Sequence, residues 1–239
     1  MMYRTARRAA ALVVMLAALG ACSKGPTPEQ QAAARKAATE ARAQDALTTY
    51  QKMVDMKSYS LAVPLGEEIV SKYPDTKAAA EVKPQLDDLR AKAKAKATKE
   101  RLQRLWVYQV APMAGGTQST AAIGVSRPAA LDLRLILRRH SDWGLSVFLY
   151  ADGSQGFVCK GNCTVPVKFD DTTVKLKAYV PQGGRPALMF RDEKGFIARL
   201  EKASVIHMKV RMKGSGERDL EFEVGGFDAS KWKPLPKKK

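Results

Sequence analysis

The residues of this chain best equipped for chemistry are three cysteines (Cys22, Cys159 and Cys163), two histidines (His140 and His207) and one adjacent pair of aspartates, Asp170-Asp171. Cys159 and Cys163 lie four residues apart around Gly161 and Asn162, residue types that tolerate positive φ, so a disulfide across a short loop is expected. The same two thiols with His140 and His207 are the residue types of a metal site. Their spacing fits no common zinc pattern, and the expectation is therefore a bridge with no metal and no cofactor. His140 follows Arg138 and Arg139 and precedes Ser141-Asp142. Adjacent residues at a strand end point in different directions, so this Ser/His/Asp cluster cannot form a relay, and His140 reads as a surface or turn histidine. His207 alternates with Val205 and Lys209 and reads as a partly exposed strand residue. Asp170-Asp171 suit a turn after a strand, with a bound cation as the alternative. There is no G-x-S-x-G, no H-E-x-x-H and no glycine-rich phosphate loop, so no catalytic residue is expected and the chain reads as a non-enzyme.

Cations are the other notable resource. The formal net charge is +17. The excess is concentrated after residue 100, where 24 Lys/Arg stand against 13 Asp/Glu, compared with 14 against 11 over residues 23–100. Lys209, Arg211 and Lys213 recur at two-residue spacing, as do Lys175 and Lys177, which on strands puts each set on one face. Arg134, Arg138, Arg139 and Lys168 add to the basic positions. If those strands share a sheet, they offer a face to phosphates or to an acidic protein; the alternative is an ordinary polar outer face of a sandwich. Lys231–Lys239 (KWKPLPKKK) reads as a basic arm, with Trp232 free to anchor on the folded domain or at a lipid headgroup layer.

The chain begins with Arg4, Arg7 and Arg8, continues with the apolar run Ala9–Leu19, and reaches Cys22 through Leu19-Gly20-Ala21. The apolar run is the length of a secretory signal core and too short to span a bilayer. This layout resembles the bacterial lipobox. The resemblance implies diacylation of the Cys22 thiol, cleavage just before it, and a mature protein held to a membrane by its acyl chains. An ordinary signal peptide cut near Ala21 is the alternative. Ser23 rather than Asp follows the cysteine, which by the same resemblance implies sorting to the outer membrane, facing the periplasm. With Cys22 lipidated, Cys159 and Cys163 are left as a pair in an oxidising compartment. The leader's three arginines account for three of the +17, leaving +14 on the mature chain.

The elements that must position these residues divide the mature chain into a tether (22–28), a helical region (29–104), a β-domain (105–232) and a basic tail (233–239). Ala46, Leu47, Tyr50, Met53 and Val54 share a helical face, as do Tyr59, Ala62, Leu65, Ile69 and Tyr73. Pro74 stops the second segment, and Asp75 or Thr76 can cap a third through Ala80, Val82, Leu86 and Leu89. Pro64 and Pro84 should kink or restart helices. Ala91 to Lys99 (AKAKAKATK) reads as a solvated helical extension. Ala62 and Tyr73-Pro74 resemble a tetratricopeptide-type repeat over roughly Ala46 to Leu89, hardly more than one unit. Gly66 stands where that pattern wants a large aromatic. The resemblance implies a peptide-binding groove only if several units stack, and a helical hairpin acting as a spacer is the other reading.

From Leu105 onward the period becomes two, predicting ten strands: 105–110, 119–125, 131–137, 145–150, 156–159, 164–169, 174–179, 187–190, 205–212 and 219–224. One helix is predicted over Glu193 to Ala203. The fold class is therefore α+β, a helical hairpin followed by an antiparallel β-sandwich-like domain with one helix. Trp106-x-Tyr108, Pro112-Met113, Leu135 to His140, Val167-x-Phe169-Asp170, Phe196 with Leu200, and Phe222 to Phe227 resemble a family of small envelope β-domains on bacterial lipoproteins and exported proteins. That resemblance implies a fold and an address and no catalysis. The functional expectation is a lipid-anchored envelope protein with a binding or scaffolding role. Its partners would be the membrane through the anchor and anionic lipid, lipopolysaccharide or an acidic envelope protein, with no nucleic acid. An envelope enzyme or enzyme inhibitor, and an assembly factor binding peptides in its helices, are the alternatives.

Overall fold

A computed structural model of the protein describes residues 25–151 and 156–235. The lipobox cysteine Cys22 and the tether up to Lys24 lie outside the described residues. The chain is α+β: helices come first, and a β unit with one further helix follows. Two compact units divide at Arg90/Ala91, earlier than the composition shift at residue 104, so the later turns of the fourth helix belong to the second unit.

In the first unit α1 spans Pro28–Asp55, α2 Tyr59–Lys72 and α3 Lys77–Val82, and α4 (Leu86–Arg104) begins in it. Helix α1 starts with a capping box. Gln30 N–H donates to Thr27 Oγ1, Thr27 N–H donates back to Gln30 Oε1, and Pro28 occupies a first-turn position where its missing N–H costs nothing. Helix α2 ends at Lys72, ahead of Pro74. Thr76, not Asp75, caps α3 by accepting from Ala79 N–H at 3.3 Å. Pro84 sits in a 3₁₀ turn, Lys83–Gln85, that separates α3 from α4, which is the expected restart. No restart occurs at Pro64: α2 runs through it, because at the sixth helical position only one intrahelical bond is forfeited while Ala62, Gly66 and Ile69 remain buried. Leu47 and Tyr50 of α1, Ala62 and Ile69 of α2, Val82 and Leu86 share one core. Gly66 is required by this crossing. A Cβ there would sit 2.8 Å from Leu86 Cδ2 and 2.9 Å from Tyr50 Cε2, so the absent aromatic is what lets these side chains close over the site.

The second unit holds a nine-stranded antiparallel sheet among the described residues. Its strands are β1 Trp106–Met113, β2 Gly116–Gly124, β3 Leu133–His140, β4 Gly144–Ala151, β5 Asn162–Phe169, β6 Thr172–Tyr179, β7 Ala187–Phe190, β8 Ile206–Met212 and β9 Gly216–Phe222. Their spatial order is β1-β2-β3-β4-β7-β6-β5-β8-β9. The segment expected to be a tenth strand, residues 156–159, makes a single bridge, Phe157 to Met212, and is otherwise irregular. Phe157 is buried in the core, and bonds from Lys213 N–H to Gly156 O and from Val158 N–H to Arg211 O flank its bridge.

One continuous sheet makes the sandwich by curling. β9 returns to the segment after β2, where Arg127 and Glu221 exchange backbone hydrogen bonds and Trp106 Nε1 donates to Val224 O at 3.3 Å. Alternation sorts the faces. Leu133, Leu135, Leu137, Val147, Leu149, Val167, Val210, Leu220 and Phe222 point into the enclosed core. Helix α5 (Glu193–Leu200) is capped by Asp192 and covers that core with Phe196, packed edge-on to Phe169 at 5.3 Å, and Leu200. The last turn of α4 docks where Gly226 presents bare backbone, and a Cβ at Gly226 would overlap the Leu102 main chain. Trp232 takes the first of its two expected positions. It is 2% exposed, with Nε1 donating to Ser119 O at 3.0 Å and the Arg139 guanidinium 3.7 Å above its ring.

Candidate functional site

The sulfurs of Cys159 and Cys163 are bonded, with 5.5 Å between the Cα atoms. Gly161 supplies the positive φ of the loop (62°), while Asn162 is already the first residue of β5. Among the described residues no group of three or more His, Cys, Asp or Glu side chains converges.

His140 differs from the surface reading. It is 3% exposed and stacks on Trp143 with ring centroids 3.8 Å apart. Nδ1 accepts from Asp142 N–H, which places the ring proton on Nε2, donating to Met113 O at 3.0 Å. The ring ties the β3–β4 turn to the end of β1, a contact across 27 residues that local pattern cannot reveal. His207 is exposed, with Nδ1 3.9 Å from Glu221 Oε2. Asp170, at φ 46°, accepts from the N–H groups of Ser204 (3.0 Å) and Val205 (2.9 Å), and so holds the entry to β8.

Lys175 and Lys177 on β6 and Lys209 and Arg211 on β8 all point away from the core, and Lys213 follows β8 in the turn to β9. Their field is partly cancelled by the neighbouring strand. Lys209 Nζ lies 3.5 Å from Asp219 Oδ1 and Arg211 Nη2 3.3 Å from Glu217 Oε1, while Lys177 Nζ donates to Thr164 Oγ1 at 3.0 Å. This face is mixed rather than purely basic.

The outward face of β1-β2-β3-β4-β7 is different in kind. It forms an open groove of about 740 Å³, within the size range of ligand sites. The register lays its side chains in rows. Val107, Ala122, Ile136, Phe148 and Met189 are successive cross-strand neighbours, an unbroken apolar line over five strands, and Tyr179 of β6 extends it. On one side runs a second row, Gln109, Thr120, Arg138 and Ser146; on the other lie Gly124, Arg134, Tyr150 and Ala187.

Arg138 is the most buried of the three arginines, with Arg134 and Arg185, that line the groove. Its guanidinium stands 5.1 Å from the Phe148 ring centroid and 5.3 Å from that of Trp143. One Nη donates to Ser146 Oγ at 3.3 Å, and the buried Nε has no partner. Among the described residues no carboxylate lies within ion-pairing distance of Arg138. Burial pulls the Arg138 guanidinium below its usual value, and the Arg185 charge, also lining the groove, pulls the same way. Two cations with no counterion among the described residues, one of them half-buried among aromatics, make a pocket that favours an anion.

Arg134 and Arg138 were visible as basic positions in the sequence, whereas the apolar row, Trp143 and Arg185 were not singled out. A signal was present. Leu135-Ile136-Leu137 and Val147-Phe148-Leu149-Tyr150 are apolar on both strand faces, which a solvated sheet face does not require.

No protein-family model matches the chain, and no curated protein matches it. Among solved structures the chain is similar to invasion associated protein B from Bartonella henselae, at 13% identity and a TM-score of 0.36, over 53% of this chain and 87% of that one.

Proposed function

We propose that this protein is lipid-anchored at the outer membrane, faces the periplasm, and uses its β unit to bind an anionic envelope ligand without chemical turnover. The address rests on Arg4, Arg7, Arg8 and the approach Leu19-Gly20-Ala21 to Cys22. The Cys159–Cys163 bridge accords with an oxidising compartment. The single observation that carries the binding role is Arg138: a guanidinium half-buried in an aromatic groove, with no carboxylate among the described residues in ion-pairing distance, beside a second arginine. This shifts the expected basic surface from Lys209, Arg211 and Lys213, two of which have acidic neighbours, to the groove. The helical region serves as the hairpin that precedes the binding unit.

Two experiments test this reading. Palmitate labelling and membrane fractionation should be lost in Cys22→Ser, and normal labelling in that variant contradicts the anchor. Anilinonaphthalene sulfonate, an apolar anion, should fluoresce on the wild-type chain and do so about tenfold more weakly on Arg138→Gln, the loss of one charge-assisted contact. Equal fluorescence on both chains contradicts the binding site.

A further inference from the structure

The groove's shape carries its chemistry further, resting on the reading of it as an anion site. Its apolar floor is one side chain wide and several strands long. Crossing four inter-strand steps from Val107 to Met189 at the usual strand spacing gives a line of roughly 19 Å. Phe148 lies at the bottom, 8% exposed, and Val107 at the open end is 62% exposed. Gln109 and Thr120 border the line on one side, and Trp143 and the 181–185 loop stand at its rim. A protein surface wide enough for a stable interface cannot settle into a trough of this width. A folded aromatic ligand would leave most of the line in water. A single extended hydrocarbon chain matches it, and Arg138, 5.1 Å from the Phe148 ring centroid, stands where the chain's head would lie.

We infer that the groove binds a fatty-acid-type carboxylate, with its alkyl chain along Phe148, Ile136, Ala122 and Val107 and its head against Arg138 and Arg185. The planar guanidinium of Arg138 keeps one Nη group free of any protein partner, and a carboxylate matches that fork. No bond is made or broken; the event is reversible binding. The chain also explains why both faces of β3 and β4 are apolar, one against the protein core and one against the ligand.

The test is calorimetric titration of the non-acylated chain from Ser23, which keeps every described residue, purified without detergent. Laurate should bind one to one, and lengthening from decanoate to laurate should tighten binding roughly fivefold to tenfold, as two partly buried methylenes require. Acetate and dodecyltrimethylammonium should not compete. Arg185→Gln, a loop change outside the sheet, should weaken laurate about tenfold. Ala122→Trp should block the line and remove the chain-length dependence, and thermal unfolding of each variant checks that it is folded. Equal binding of laurate and dodecyltrimethylammonium, or wild-type affinity in both variants, overturns the inference. Dodecyl phosphate binding tenfold tighter than laurate overturns the carboxylate head. Absent laurate binding with anilinonaphthalene sulfonate still bound through Arg138 rejects the fatty acid and leaves the anion site standing.

Discussion

Trp232 offers the sharpest test of how the C-terminal segment closes the β unit. A buried tryptophan removes about 200 Å² of surface from water, which at about 25 cal/mol/Å² is worth roughly 5 kcal/mol as an upper bound. Trp232→Ala also leaves Ser119 O without its donor and takes the ring from beneath Arg139. Partial collapse of the cavity and release of the tail offset part of this, giving an expected loss of about 4 kcal/mol. Trp232→Phe keeps most of the area and the cation contact and forfeits the hydrogen bond, so its cost should be about 1–2 kcal/mol. All three tryptophans, Trp106, Trp143 and Trp232, lie in the second unit, so tryptophan fluorescence in urea follows that unit alone. At a slope of about 2 kcal/mol per molar urea the alanine variant's midpoint should fall by about 2 M. Midpoints within a quarter of that shift in the alanine variant would show Trp232 to be a loose arm and refute the packing argument.

Other consequences are independent of the groove. Cys159 and Cys163 should resist alkylation until reductant is added, as read by mass spectrometry, and their double serine variant should cost no more than about 2 kcal/mol, because the closed loop is short. Gly66→Leu should destabilise the helical unit by about 1–3 kcal/mol, lowering the helical melting transition seen by circular dichroism while leaving the tryptophan transition in place. The Arg101 guanidinium holds the Glu223 carboxyl below its usual range through two hydrogen bonds. A depressed carboxylate stabilises the fold above its unfolded value, and this is lost as pH falls through the folded one, so the small stability gap between wild type and Glu223→Gln should vanish in acid. A gap that widens in acid refutes that sign. Replacing Lys209, Arg211 and Lys213 by Ser should change the unfolding free energy by less than about 1 kcal/mol.

The strands were legible where alternation is strict. β8 reads as buried, exposed, buried along its whole length, and the core set Leu133, Leu135, Leu137, Val210 and Phe222 follows from period two alone. The pairing of Lys209 with Asp219 and Arg211 with Glu217 was also within reach, since the Lys213–Gly216 turn fixes that register. What could not be read locally depends on several strands at once. The apolar row joins Val107, Ala122, Ile136, Phe148 and Met189 from five strands. Ala122, between Thr120 and Gly124, and Ile136, between Arg134 and Arg138, are isolated apolar residues on the outer face of their own strands, and only the register makes them part of a line. His140 likewise looked like a turn residue because its partner, Met113 O, belongs to a distant strand.

The central claim, an anionic ligand held by Arg138 in the groove, is tested most directly by native mass spectrometry of the protein extracted from outer membranes, wild type beside Arg138→Gln. One bound anionic, chain-bearing molecule is expected on the wild-type protein, with its depletion from the variant. A wild-type protein carrying no such molecule, or a variant carrying it at the same occupancy, shows that Arg138 holds no anionic ligand in the groove.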